Sequence, residues 1–88
     1  MHLNTDFELV ELADEHLAIP VGEKATSFKG VVTISNSAYF LLSKMNISRS
    51  KEELLELLVN EFDVDKAVAQ ADLDEFLKEM LEMGVIEK

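Results

Sequence analysis

The stretch Lys29 to Leu42, KGVVTISNSAYFLL, limits the fold of this chain more than any other. Gly30 opens a run in which Val31, Val32 and Ile34 are β-branched, a composition that suits a strand. Ser35, Asn36 and Ser37 come next. Their short polar side chains compete for backbone donors, which favours a helix N-cap over a strand interior. Ala38, Leu41, Leu42 and Met45 then recur at helical spacing. A strand therefore passes into a helix with almost no loop, and sheet is expected before this junction and helix after it.

The flanking segments fit that division. Phe7 to Ala13, FELVELA, has a period near two but shifts frame midway, which predicts a bulge or a strand covered on both faces. His16 to Val21, HLAIPV, reads as a second strand with Leu17, Ile19 and Val21 on one face. Pro20 cannot donate to a ladder and belongs at a strand end or edge. Gly22 to Ser27 reads as a loop, Phe28 to Ile34 as the third strand, and Met1 to Asp6 as a frayed start. After the junction a first helix covers Asn36 to Met45. Ser50 and Glu53 spell a capping box before a second helix with Leu54, Leu55, Leu58, Val59 and Phe62 on its apolar face. Asp65 is placed to cap a third helix running to Met83, with a stripe at Ala69, Leu73, Phe76, Leu77 and Met80. Gly84 suits the turn after it, and Val85 and Ile86 fold back as an apolar tail. Strands followed by helices predict an α+β fold, a three-stranded antiparallel sheet followed by three helices. A length of 88 residues fits a single domain over residues 1–88.

Charge and composition narrow the function. Eighteen acidic residues against eight basic ones give a net charge of −10. DNA and anionic lipid would be repelled, because binding to phosphate needs a basic footprint. There is no cysteine, so no disulfide framework and no thiolate metal site. No apolar run is long enough to span a bilayer, and MHLNTDFELV lacks a basic start before an apolar run, so the cytoplasm is the expected location.

Catalytic chemistry is hard to assemble from these residues. The histidines are His2, near the frayed start, and His16, beside a strand turn. The serines cluster near caps and loops, none in a nucleophile-elbow setting. Asp63 to Asp74, DVDKAVAQADLD, begins like a calcium loop but has Val68 where glycine is required and ends in Asp74 instead of glutamate. An acyl carrier would need Asp-Ser-Leu at a helix start, and Asp72-Leu73 lacks the serine. No cofactor is implied. What remains is a surface: a sheet edge can accept a partner's strand, and Met45, Met80 and Met83 add adaptable apolar area.

At this point the residues resemble a known family, PqqD and the related recognition domains of ribosomally made, modified peptides. The resemblance spans Gly30 to Ile86 and rests on an ordered set of motifs. Ile34-Ser35-Asn36-Ser37-Ala38 stands where the family has a motif like Leu-Asn-x-Thr-Ala. Ser50, Leu54, Leu58 and Phe62 match its capped second helix. Val64-Asp65, then Asp72-Leu73-x-x-Phe76-Leu77-x-x-Met80, then Gly84-Val85-Ile86, match its third helix and closing turn. The chain departs from the pattern at Ser35, Asn36 and Ile47, where the family usually has Asn, often an acid, and the Gly of an Asp-Gly turn.

The resemblance implies a winged-helix-like domain without catalysis of its own. Such a domain binds the leader of a precursor peptide as an added strand and presents it to a modifying enzyme, often a radical S-adenosylmethionine enzyme. On that basis the backbone of Lys29, Gly30, Val31, Val32 and Thr33 is expected to pair with the leader. Ala69, Asp72, Leu73, Phe76 and Met80 on the third helix are expected to receive its side chains. Ala69 and Asp72, at the stripe's margin, are the candidates for direct contact. A leader that orders on binding should reach micromolar to submicromolar affinity, roughly −8 to −9 kcal/mol. Two other readings stay open: a DNA-binding winged helix, and a self-associating domain in which the same edge pairs two copies as a homodimer. The first demands a basic recognition helix, yet Ala67 to Met83 holds Lys78 against Asp72, Asp74, Glu75, Glu79 and Glu82.

Overall fold

The computed structural model describes residues 1–27 and 30–88. Chain order is β1 (His2–Leu3), β2 (Phe7–Leu12), β3 (Glu15–Pro20), a single helical turn α1 (Lys24–Ser27), β4 (Val32–Ile34), α2 (Asn36–Ser43), α3 (Lys51–Phe62), α4 (Lys66–Met83) and β5 (Ile86–Glu87). The expected α+β division holds, with a three-stranded antiparallel sheet in the order β2-β3-β4.

The β2–β3 hairpin turns through Ala13 and Asp14, with Ala13 at φ +57°. Its register runs unbroken from Phe7 opposite Pro20 to Leu12 opposite Glu15, so the bulge expected in β2 is absent. The frame shift in FELVELA has a simpler cause: Leu12 sits beside the turn and stays exposed, while Phe7 and Leu9 alone carry the core pattern. Ala18, opposite Leu9, faces the helices with no exposed surface. Leu17 and Ile19 occupy the other sheet face, as strand alternation requires. Pro20 ends β3, where its missing donor disturbs no further pairing.

Between β3 and β4 the chain departs from expectation twice. Gly22 to Ser27 contains the helical turn α1 where a loop was expected. The third strand is also shorter than Phe28 to Ile34. Gly30 adopts φ +83°, a left-handed conformation that diverts the chain from an extended path, and pairing with β3 covers Val32 to Ile34. The part of that expectation falling on Phe28 and Lys29 lies outside the described residues.

The helices begin and end as their caps dictate. The Ser35 hydroxyl accepts from the Ala38 N–H, so the strand-to-helix junction closes in one residue. At α3 the Ser50 hydroxyl accepts from the Glu53 N–H at 3.2 Å, and the Glu53 carboxylate accepts from the Ser50 N–H at 3.0 Å. These hydrogen bonds, the Ser50 backbone N–H first, hold the Glu53 carboxyl below its usual 4.5. A carboxyl lowered by folding adds stability that is complete above its ordinary value and disappears as pH falls through the lowered one. Ser50→Ala leaves a helix donor without its partner and should cost about 1 kcal/mol, whereas Ser50→Thr should cost less. Urea unfolding at neutral pH measures both. Asp65 caps α4 through the Ala67 N–H, and Gly84, at φ +78°, ends it in the left-handed conformation that glycine adopts without strain.

The first residues do not fray. His2 and Leu3 pair with Glu87 and Ile86, so the chain start forms a second, two-stranded sheet with the apolar tail. Leu3 N–H donates to the Met45 carbonyl, and Asn4 N–H donates to Val85. The buried Asn4 side chain satisfies itself on the Gly84 carbonyl and the Asp6 N–H. Sheet and helices meet over Phe7, Ala18, Ile34, Leu41, Leu42, Met45, Leu54, Leu73 and Ile86, all buried.

A candidate peptide-docking groove

β4 is an edge of its sheet: β3 covers one side, and among the described residues no strand pairs with the other. The apolar tail is committed to β1 and leaves this rim clear. An unpaired edge offers backbone donors and acceptors to any extended chain laid beside it.

Next to that edge lies a groove of about 440 Å³, a size suited to side chains of a bound segment. One wall is Thr33, Ile34 and Ser35 at the strand-to-helix junction. A second is Ser37, Ala38 and Leu41 of α2, and a third is α4 from Ala69 to Met80. Leu58, Phe62 and Val64 close the end where α3 turns into α4. Phe62 is held there edge-on to Phe40, with ring centroids 5.5 Å apart. Phe62 and Val64 remain more than one-third exposed, so the apolar lining reaches the surface.

The residues singled out from the sequence fall into three groups. Thr33 and Asp72 are exposed and line the groove, and Phe76 lines it half-buried. Ala69, Leu73 and Met80 line its floor but are buried in the core, so Ala69 is a packing residue as much as a surface one. Gly30, exposed Val31 and half-buried Val32 lead into or form the edge without lining the groove, and Lys29 lies outside the described residues. Ser37, Glu75 and Glu79 were not singled out. The serine reads as part of a cap and the two acids as a solvated helix face. Their spacing of three and seven residues from Asp72 is the signal that places the acids on one side of α4.

Electrostatically the groove is one-sided. Asp72, Glu75 and Glu79 line it, and among the described residues no Lys, Arg or His does. Asp74, off this face, is instead paired with Lys51 and accepts from Gln70. The Lys51 ammonium holds its carboxyl below the usual 3.8. Among the described residues no group of three or more potential metal ligands converges, and no helix is long and apolar enough to cross a membrane.

Known proteins bear on this arrangement. No curated protein matches the chain. The solved structure of TbiB1 in complex with the TbiA(beta) leader peptide is similar in fold, with a TM-score of 0.77 at 16% identity over 99% of this chain and 95% of that one. The family described as coenzyme PQQ synthesis protein D (PqqD) matches residues 8–86, strands and helices alike, and the chain belongs to this family.

Proposed function

We propose that this chain is a non-catalytic recognition domain for the leader of a ribosomally synthesised precursor peptide. The leader adds as a strand along the outer rim of β4 and sends alternate side chains into the groove against α4. Val32 to Ile34 supply the backbone rim, with Gly30 and Val31 leading into it; Asp72 and Phe76 make direct side-chain contacts; Ala69, Leu73 and Met80 form the floor. The domain then presents the peptide to a modifying enzyme, of which a radical S-adenosylmethionine enzyme is the leading candidate. The observation that carries this reading is the coincidence of an unpaired strand edge with an apolar groove. Main-chain pairing gives affinity with little sequence demand, and a pocket beside it gives selectivity. That the structurally similar TbiB1 was solved with a leader peptide supports the same use of the fold.

Fluorescence anisotropy with a labelled leader tests it. The leader of a precursor encoded beside the gene should bind in the micromolar range or tighter. Ser37→Trp, which places a ring over the groove from the α2 side, should weaken binding severalfold while leaving the thermal unfolding profile close to the parent's. Absence of binding at about 100 μM, near −5.5 kcal/mol, would overturn the proposal. Sedimentation across concentration distinguishes the competing occupant of the same rim, a second copy of the chain in a homodimer.

A further inference from the structure

The geometry points to a basic ligand: the segment bound beside β4 carries an apolar side chain for the groove floor and a Lys or Arg two residues away on the same strand face. This rests on the strand-addition reading and adds the class of sequence that the groove selects.

Asp72, Glu75 and Glu79 stand on one face of α4 and all line the groove. Among the described residues none of the three is paired with a cation, whereas Asp74, one step round the helix, is engaged by Lys51. Among the described residues, then, an acid that does not line the groove is neutralised, and three that do line it have no cationic partner. Unpaired carboxylates beside an apolar wall concentrate a negative field there, because field lines spread poorly through low-dielectric material.

The spacing suits a strand. Seven helical residues from Asp72 to Glu79 rise about 10 Å. Successive same-face residues of a strand lie about 7 Å apart. A basic residue two positions from an apolar anchor therefore stays within reach of at least one carboxylate wherever the anchor settles along α4. Lys and Arg also have the right stem, since their methylenes can lie over Phe76 while the charged head reaches the rim. An acidic segment would bring like charges together in the same place.

The test is selection of random displayed decapeptides on the intact chain at low salt, repeated on a variant carrying Asp72→Asn, Glu75→Gln and Glu79→Gln. Synthetic versions of the enriched peptides are then mapped by backbone amide shifts. The expected result is enrichment of Lys or Arg two residues from an apolar position, shifts at Val32 to Ile34 and along α4, and up to about fivefold weaker binding to the neutralised variant, the size of one exposed pair. Affinity should also fall as salt rises. Peptides that map to β4 and α4 without basic enrichment, or that bind the neutralised variant equally well, overturn the charge inference and leave strand addition standing. Basic peptides that map elsewhere overturn it as well. Failure of any peptide to map to β4 overturns both.

Discussion

Leu73→Ala is expected to lower the unfolding free energy by about 3 kcal/mol, within the range for truncating a buried leucine. Leu73 has no exposed surface and belongs to the cluster joining sheet and helices, yet it also forms the groove floor. Both facts set the magnitude. Removing three carbons forfeits the transfer energy of the side chain, and the space left opens toward the groove instead of sealing as a void. Solvent can enter it, which keeps the cost below the upper end of the range. A domain of this length holds roughly 5–10 kcal/mol in total, so the loss is a large fraction of its stability. Urea unfolding at 25 °C measures it. A cost below about 1 kcal/mol would mean that Leu73 is not packed as described. Phe76→Ala, at a half-buried position on the same stripe, should cost less stability while still weakening leader binding.

The second large effect is on the ligand. Methylating one backbone nitrogen of the leader at a time should weaken binding at alternate residues and leave the residues between them near the parent affinity. The reason is ladder geometry: along a strand, successive residues direct their N–H and C=O groups to opposite edges. A methyl on a rim-facing nitrogen removes a donor and leaves its acceptor on β4 unsatisfied, a loss of about 1–3 kcal/mol, or roughly 5- to 150-fold in affinity. Because β4 spans Val32 to Ile34, the sensitive stretch should be short. A long run of sensitive positions, or a pattern without a period of two, would contradict strand addition. So short a rim also means that the groove supplies much of the selectivity and a substantial part of the affinity.

What the sequence disclosed follows from how local each signal is. The junction at Ser35, the capping box at Ser50 and Glu53, and the Asp65 and Gly84 ends of α4 are written in residues a few positions apart, and all appear in place. The β1–β5 pair was hidden because two-residue strands have no periodicity and their partners lie at opposite ends of the chain. The true length of β4 was hidden because Gly30 can open a strand or divert the chain before one, and φ alone decides. Among the candidate contacts, Thr33, Asp72 and Phe76 line the groove where a ligand could reach them, and that much followed from motif order. Ala69 misled in part, since a small residue on a helix stripe suits both an open groove and tight packing, and here it has no exposed surface. The acids Glu75 and Glu79 read as solvated surface because charge alone does not reveal what lies opposite.

The central claim is that the outer rim of β4 receives a foreign backbone. Titrating an unlabelled leader into isotope-labelled protein and following every assigned backbone amide tests it most directly. Strand addition requires the largest changes at Val32, Thr33 and Ile34 and along α4 from Ala69 to Met80. Changes confined to α3, with β4 and α4 unmoved, would contradict it.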